Sequence, residues 1–569
     1  MKQVPPEAKA ARSCRRGKGR DKGPDGFPRP RGLRCPATRP SRPIFQYLKL
    51  AVFLGFAWLL NGCQTASRPQ ATNIIFILAD DLGYGDVQAL TPSSKIPTPT
   101  LNKLAAEGLS FTNAHAAAAV CTPSRYSFLT GNYSWRSGRK QGVIWVWESP
   151  LIPPDCLTVG EMLKQQGYDT ACVGKWHLGM DWPTRDGRPA TLENLGTNVD
   201  YDAPIRNGPV DRGFDYYFGQ EVPGFPPHTF IENNRVATKP TAWRNAGISG
   251  LPGAMAPGWR YEDEMYKLTD KAMEYIRQQA SKKTGRPFFL YFSMSAPHTP
   301  IAPHENFQGK TDVGRYGDFV YEMDFHVGQV LDLLDHLGLA KNTLVIFSSD
   351  NGPVNEDGLK YDSAVGELVK NYRHNSSGPL RGMKSDAWEG GHRVPFIVKW
   401  PGHVPPHSTS GALISQVDMM ATFAALSGAR LPGDAAVDSV DMLPVLEGKT
   451  KSGRKALVAQ SGEGVLSIQE GDWKLVTCSG GGGMWNPVGQ PARVRFEGEH
   501  AVWENVQLYN TVNDLAETNN LAARNPEKVQ ELMKLLKKYI QEGRSTPGTA
   551  LPLGPVQPWP EVPWFDEVR

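Results

Sequence analysis

The chain carries two hydrophobic rhythms. Segments 73–79, 287–294, 343–349 and 394–400 are apolar at almost every position and of strand length, with a shorter strand at 169–173. Segments 100–107, 158–166, 261–279 and 318–337 instead have the spacing of helices. Runs such as Ile74-Ile75-Phe76-Ile77-Leu78, apolar on both sides of the pleat, suit strands buried beneath helices on both faces. Strand and helix alternate, which predicts an α/β fold built on a large, mostly parallel, doubly wound sheet flanked by helices. Past about residue 453 the rhythm changes. Short strands at 464–469 and 472–477, four glycines from Gly480 to Gly483 and a helix at 526–541 predict a smaller C-terminal α+β subdomain.

At 569 residues the chain is long enough for a large core and a further domain. Its net charge of +4 is unevenly spread: residues 1–62 hold 14 Lys and Arg against 3 Asp and Glu, which leaves −7 for the rest. A mildly acidic body with no basic, aromatic-interleaved stripe gives no support for nucleic-acid binding. Segment 1–43 is basic and rich in Pro, Gly and Arg; it cannot bury enough apolar surface to fold alone and is expected to be disordered. Segment 44–63 contains an apolar run at 50–60. That run has the length of a signal-peptide core and falls short of the roughly 20 residues needed to span a bilayer. Export to the periplasm or the extracellular space is the expectation. The run ends in Leu60-Asn61-Gly62-Cys63, which resembles a bacterial lipobox, where Cys63 would carry a lipid anchor. Asn61 departs from that pattern and leaves ordinary secretion open. Residues 64–72 read as a linker, 73–452 as the catalytic domain, 453–545 as the C-terminal subdomain and 546–569 as a Pro-rich tail that wraps the surface or is disordered.

Of seven cysteines, Cys121, Cys156, Cys172 and Cys478 lie in the body. Cys156 and Cys172 flank the 158–166 helix and are candidates for pairing in an oxidising compartment. No Cys-x-x-Cys pair or Cys/His zinc spacing is present.

Chemistry-bearing residues gather at the ends of the apolar strands. Asp80 and Asp81 follow the 73–79 run, Lys175 and His177 follow the 169–173 strand, His298 follows the 287–294 run, and Asp350 and Asn351 follow the 343–349 run. In open α/β sheets the carboxyl ends of the strands face the ligand. Two pairs of oxygen side chains suit a hard cation such as Ca²⁺ better than zinc. Taken alone, Asp-Asp and Asp-Asn-Gly are also ordinary turn and cap sequences. Arg125, Lys175, His177, His298 and Lys384 form a basic set that would stabilise charge on a transferred anionic group, although each alone reads equally as a solvated charge or a structural histidine. The irregular region 181–257 is expected to wall a substrate cleft. Trp145, Trp147 and Trp182 are candidates for stacking on a sugar or aryl ring, and His374, His392 and Arg393 for a second anionic group, with local packing as the competing reading.

Between these groups stands Cys121-Thr122-Pro123-Ser124-Arg125, leading through Leu129-Thr130-Gly131. With Ala79-Asp80-Asp81-Leu82-Gly83, Gly174-Lys175-Trp176-His177, Ala296-Pro297-His298, Ser349-Asp350-Asn351-Gly352, and Lys384 followed by Glu389-Gly390-Gly391-His392-Arg393-Val394-Pro395, it makes six motifs in one order. From about Asn73 to the C-terminal subdomain the chain resembles the type I, formylglycine-dependent sulfatases of the alkaline phosphatase superfamily. Gly471-Asp472-Trp473-Lys474-Leu475, Leu508-Tyr509-Asn510 and Asn519-Asn520-Leu521-Ala522 resemble that family's C-terminal region. Leu515 stands where proline is common there.

The resemblance implies one Ca²⁺ ion held by Asp80, Asp81, Asp350 and Asn351, with position 121 also near the ion. It implies that a maturation enzyme oxidises Cys121 to formylglycine. A hydroxyl of the formylglycine hydrate would attack the sulfur of a sulfate ester, giving a covalent sulfo-enzyme that then releases sulfate. Arg125 and Lys175 would stabilise the hydrate, His177 would take its proton, and His298 with Lys384 would face the leaving oxygen, His298 as general acid. The expected partner is a sulfated small molecule or glycan, with carbohydrate favoured over aryl sulfate. Two other readings stay open on the residues alone: a phosphomonoester or phosphonate hydrolase of the same superfamily, and a catalytically idle lipoprotein that binds sulfated glycans.

Overall fold

The first apolar run is β1 (Asn73–Asp80), and all eight of its residues are buried. Successive side chains of a strand point to opposite faces, and here both faces are covered. Ile74, Phe76 and Leu78 pack with Phe128, Met419 and Phe423, whereas Ile75, Ile77 and Ala79 pack with Leu101, Leu268 and Val327. The computed structural model describes residues 71–245, 250–358, 365–497, 500–551, 559 and 562–567. The basic segment 1–43, the signal segment 44–63 with Cys63, and the linker up to residue 70 lie outside the described residues.

In chain order there follow α1 (Pro99–Ala106), β2 (Leu109–Phe111), α2 (Cys121–Thr130), α3 (Val159–Gln165), β3 (Asp169–Lys175), β4 (Tyr216–Gln220), α4 (Glu264–Ser281), β5 (Phe288–Pro297), α5 (Gly314–His336), β6 (Thr343–Ser349), β7 (Phe396–Lys399) and α6 (Met419–Ser427). The large sheet has ten strands, with β6, β1, β5, β3 and β4 adjacent in that order at its centre. These five run parallel. β7 pairs antiparallel with β6, and β2 antiparallel with β7. At the other edge the short strands Ile231–Glu232 and Arg235–Val236 also run antiparallel. The expected α/β sheet flanked by helices is present, with a parallel centre and antiparallel flanks. An apolar run such as 394–400 carries no mark of its own direction, so the reversal at β7 has no signal in the pattern.

β4 lies within the region read as irregular. Its residues, Tyr216-Tyr217-Phe218-Gly219-Gln220, are mostly strand formers, but the Pro and Gly around them break the periodicity.

Beyond β7 an antiparallel sheet of β8 (Ala456–Gln460), β9 (Leu466–Glu470), β10 (Trp473–Val476) and β11 (Gln507–Asn510) packs against α7 (Pro526–Gln541). Val529, Leu532, Met533, Leu536 and Ile540 form the buried stripe of α7, at the i, i+3, i+4 spacing of an amphipathic helix. The tail, read as wrapping the surface or disordered, is described only in part. Val562 and Trp564 are buried in the same cluster as α7, where an indole and an isopropyl group leave water.

A buried ionic network ties β10 to the catalytic part of the chain. The Lys474 ammonium, 1% exposed, donates to Glu389 Oε1 at 2.9 Å and to His392 Nε2 at 3.1 Å, and pairs with Glu517 at 3.0 Å. His392 Nδ1 lies 3.0 Å from His115 Nδ1, and His115 Nε2 lies 2.9 Å from Asn113 Oδ1. One tautomer set satisfies the whole row: Lys474 donates to His392, His392 to His115, and His115 to Asn113. Burial holds both imidazoles neutral, with the His115 pKa brought down to about 3. Glu389 also accepts from Arg393 Nη1 at 2.8 Å. His392 and Arg393 are thus structural here, as is His374, whose Nε2 sits 2.8 Å from the buried Asp86. Removing one partner leaves buried charge uncompensated, so Lys474→Ala is expected to lower the unfolding free energy by about 3–5 kcal/mol. Denaturant titration would read this as a lower midpoint, and an unchanged midpoint would contradict it.

Candidate active site

Four neighbouring parallel strands deliver the candidate residues to one edge of the sheet. Asp80 is the last residue of β1 and Lys175 the last of β3, while His298 directly follows β5 and Asp350 directly follows β6. Asp81 and His177 take positive φ, 63° and 57°, which turns the chain sharply once each strand has ended. Gly174, at φ 115°, has no alternative: a Cβ there would fall 1.6 Å from the Ser293 carbonyl oxygen of β5. Cys121 enters from above as the first residue of α2, a helix buried at all ten positions and ended by Gly131 at φ 68°. Its side chain therefore sits at the positive end of a helix, which favours negative charge beside it. Lys384 comes from the loop between β6 and β7.

The side chains meet in a dense array. Lys175 Nζ donates to both oxygens of Asp80, at 2.8 and 2.7 Å. Arg125 Nη2 reaches Asp350 Oδ2 at 2.7 Å and Asp80 Oδ1 at 3.4 Å, and its Nε reaches Asp350 Oδ2 at 3.0 Å. Its Nη1 donates to the Lys175 carbonyl at 3.1 Å and to Ser293 Oγ. Lys384 Nζ donates to Asp81 Oδ2 at 2.7 Å, and His298 Nε2 lies 3.7 Å from the same oxygen. Asn351 Nδ2 donates to Asp81 Oδ1 at 2.7 Å. Cys121 Sγ lies 3.7 Å from Asp80 Oδ1. All ten candidates from the sequence are thus brought into one continuous cluster, with His177 joined to it through the chain at Lys175 and through Thr122, whose hydroxyl donates to the His177 carbonyl at 2.9 Å.

The electrostatics follow from burial acting against these partners. Burial raises the Asp80 and Asp81 pKa values, but Lys175 beside Asp80 and Lys384 beside Asp81 outweigh it and hold both carboxyls below the usual range. Burial works against the Lys384 ammonium, which Asp81 nevertheless keeps protonated. The Cys121 thiol is pushed up to about 12, chiefly by burial, so at neutral pH it is protonated and a poor nucleophile. Burial, with Lys175 and Arg125, pushes His177 well below the ordinary histidine value. His177 Nε2 lies 2.8 Å from the Ile144 carbonyl, which can only accept, so Nδ1 keeps a lone pair, and it is buried without a partner among the described residues. His298 is likewise pushed down by burial and Lys175. Its Nδ1 is 2.5 Å from the Thr299 carbonyl, which leaves Nε2 facing the cluster.

The donor set fits a divalent cation. Asp80, Asp81, Cys121 and His298 offer ligand atoms within 4.8 Å of one another. Asn351 Oδ1 is buried with no hydrogen-bond partner among the described residues, which is costly unless something else satisfies it. Carboxylate and amide oxygens are the ligands of a hard cation.

Two contributors to the cluster were not among the sequence candidates. Ser293 stands as a polar residue inside an apolar strand, a signal that was available. The Ile144 carbonyl that sets the His177 tautomer is a backbone group and left none. Among the aromatic candidates, Trp147 is buried with Val146, Ala190 and Val199, and Trp182 donates to Glu221 Oε2 at 2.9 Å. Trp145 stays 43% exposed, its ring 5.4 Å from Phe225. Cys156 and Cys172 are free thiols, which corrects the suggested pairing. Both pack into the apolar layer of α2 and α3, so proximity in sequence to one helix places them in one layer without joining the sulfurs.

Residues 72–429 match the family described as Sulfatase. The chain is 35% identical over 526 residues to an N-acetylgalactosamine-6-O-sulfatase of Bacteroides thetaiotaomicron, covering 84% of this chain and 96% of that protein. It is 33% identical over 522 residues to human arylsulfatase A, covering 88% and 92%. A solved structure from work on the metabolism of multiple glycosaminoglycans by Bacteroides thetaiotaomicron superposes with a TM-score of 0.67 at 32% identity, covering 82% of this chain and 99% of that one.

Proposed function

The chain belongs to the sulfatase family and is a sulfuric ester hydrolase, and from that premise we propose that it cleaves a carbohydrate sulfate to alcohol and inorganic sulfate at the cluster around Cys121. The observation that carries this reading is the convergence of Asp80, Asp81, Asp350 and Asn351 with Arg125, Lys175 and Lys384 at the buried start of α2. The choice of carbohydrate is supported by the names of the bacterial relative and of the glycosaminoglycan-linked structure. Export through segment 44–63, with Cys63 as a lipid attachment point, is part of the same proposal and accords with a substrate that stays outside the cell. Among the described residues no helix is long and apolar enough to cross a membrane.

Position 121, oxidised by a maturation enzyme to formylglycine, supplies an aldehyde hydrate, whose hydroxyl attacks sulfur and whose return to carbonyl releases sulfate, chemistry that a thiol held at a pKa of about 12 lacks. Asp80, Asp81, Asp350 and Asn351, with position 121 beside them, would hold a calcium ion, which when bound polarises a sulfate oxygen. Arg125 is fixed by Asp350, Ser293 and the Lys175 carbonyl, so with Lys175 it offers oriented positive charge that needs no rearrangement as charge develops. His177 accepts the nucleophile's proton at Nδ1, the nitrogen left free by the Ile144 carbonyl. His298 delivers a proton from Nε2 to the leaving oxygen, with Lys384 beside it. Burial and Lys175 disfavour the imidazolium, and the negative charge of an arriving sulfate ester offsets that.

The test is paired kinetics on sulfate and phosphate esters of the same alcohols, in wild type and His298→Ala. Wild type should prefer sulfate. The variant should lose about 10²–10⁴-fold in kcat on a sugar sulfate, whose alkoxide needs a proton, and much less on 4-nitrophenyl sulfate, whose leaving group does not. A preference for phosphate overturns the substrate class, and an equal loss on both sulfates overturns the acid role.

A further inference from the structure

Thr122 directly follows Cys121, is fully buried as the second residue of α2, and has no task in the reaction as described. Helical hydroxyls commonly bond back to the carbonyl four residues earlier, and two in this helix do so. Ser127 Oγ donates to the Pro123 carbonyl at 2.9 Å and Thr130 Oγ1 to the Tyr126 carbonyl at 2.8 Å. Thr122 instead reaches out of its helix. Its hydroxyl donates to the His177 carbonyl at 2.9 Å, just past the end of β3, and accepts from Ile144 N at 3.0 Å. A hydroxyl has one proton to give and lone pairs to receive with, so both bonds form together.

These bonds close a ring, because the Ile144 carbonyl in turn lies 2.8 Å from His177 Nε2 and takes its proton. Thr122 therefore holds the main chain of His177 at one point and the residue that receives its side-chain proton at another. Both need holding. His177 has φ 57°, a conformation that a side chain of this size keeps only where its surroundings impose it. Its N donates to the Glu221 carbonyl at 2.9 Å, and Thr122 meets its carbonyl. Ile144 ends a stretch, 139–144, that lies outside helices and strands. That stretch is tied to the C-terminal subdomain by Gln460 Nε2 of β8, which donates to the Lys140 carbonyl at 2.6 Å, and by Gly142 N, which donates to the Gly462 carbonyl at 2.7 Å. At Ile144 itself the main-chain N–H goes to Thr122. The tautomer of His177 depends on this arrangement. While the Ile144 carbonyl takes the Nε2 proton, Nδ1 keeps a lone pair. Should that carbonyl drift, nothing disfavours a proton on Nδ1, and a protonated Nδ1 cannot accept another.

We propose that Thr122 is a positioning residue for the proton transfer: through Ile144 it holds His177 in the Nε2–H tautomer, with Nδ1 free to accept the nucleophile's proton. Adjacent residues of α2 thereby place the nucleophile and orient its base. The inference rests on His177 as the proton acceptor and deepens that reading.

Thr122→Val and Thr122→Ser test this with 4-nitrophenyl sulfate, each in the wild-type and the His177→Ala background. Rates are taken per aldehyde at position 121, counted by mass spectrometry, because the exchange adjoins the modified residue. Valine keeps the shape and loses both hydrogen bonds. It should lower kcat by about 10–100-fold with little change in KM, the loss typical when a histidine's orienting partner is removed. Serine keeps the hydroxyl and should recover most of that loss. In the His177→Ala background the valine exchange should change kcat by less than about twofold, since it acts only through the imidazole. A serine loss equal to that of valine, or a valine loss that persists in full without His177, is what a purely structural threonine gives and overturns the proposal. Nitrogen NMR of the His177 ring, assigned by difference from His177→Ala, reads the tautomer without turnover. Nε2–H is expected in wild-type and Thr122→Ser protein, and the other tautomer in wild type overturns the proposal even where Thr122→Val does not fold. If His177→Ala keeps full activity, the proton-acceptor role fails and the spectra alone decide the ring. Loss of the Nε2–H tautomer in Thr122→Val then supports it, and an unchanged tautomer overturns it.

Discussion

Replacing Cys121 by alanine is expected to lower kcat/KM for any sulfate ester by about 10⁵-fold or more, the size of effect seen when a nucleophile that works as a unit with its neighbours is removed. The substitution should leave the rest of the cluster in place. Cys121 is 1% exposed at the start of α2, and its one polar contact is the 3.7 Å approach of Sγ to Asp80. Asp80 keeps its stronger partners, Lys175 and Arg125. Removing one sulfur from this packing costs about 1–2 kcal/mol of stability at most, so the loss of turnover would appear without loss of the folded state. Thermal unfolding followed by circular dichroism checks the second half of that statement. Mass spectrometry of the peptide spanning residue 121 in active wild-type protein checks the chemistry: an aldehyde is expected, and fully active protein carrying an intact thiol would falsify the formylglycine route.

Much of this centre can be read from the chain because parallel sheets place function at strand ends, and strand ends are visible as breaks in apolar runs. Asp80, Lys175, His298 and Asp350 each directly end or follow such a run, and the structure brings them together from four adjacent strands. What escaped the sequence depended on partners far away in the chain. Lys474 reads as one residue of a short strand, yet it is the hub that joins Glu389, His392 and Glu517. His392 and Arg393 looked available for an anion because their sequence neighbours do not reveal that Lys474 and Glu389 engage them. The direction of β7 and the burial of Trp564 belong to the same class, since each is decided by what packs alongside.

Removal of divalent metal is expected to reduce turnover by about 10³-fold or more, equivalent to the several kcal/mol that a bound metal supplies to charge stabilisation. The reason lies in the charge count of the cluster. Asp80, Asp81 and Asp350 are balanced by Arg125, Lys175 and Lys384, which are hydrogen-bonded directly to them. The donors remain oriented, but three carboxylates and three cations sum to zero, so the cluster without a metal has no net positive charge with which to draw in an anionic ester. A divalent ion would take oxygens that Lys175 and Lys384 now engage, would offer Asn351 Oδ1 the partner it lacks among the described residues, and would leave these seven charged groups net positive, which attracts a sulfate monoester. Oxygen donors without a histidine pair favour Ca²⁺ over Zn²⁺, so activity lost on treatment with a chelator should return with calcium and not with zinc. Binding can be read apart from turnover. Saturating calcium should stabilise the fold by about 2.7 kcal/mol at a hundredfold excess over Kd, with a matching rise in the unfolding midpoint. Asp81→Asn should abolish that rise, because it removes the charge that Lys384 and the ion share. Metal-free protein, verified by elemental analysis, that keeps full activity and an unchanged midpoint would show that the three carboxylates serve the cations alone.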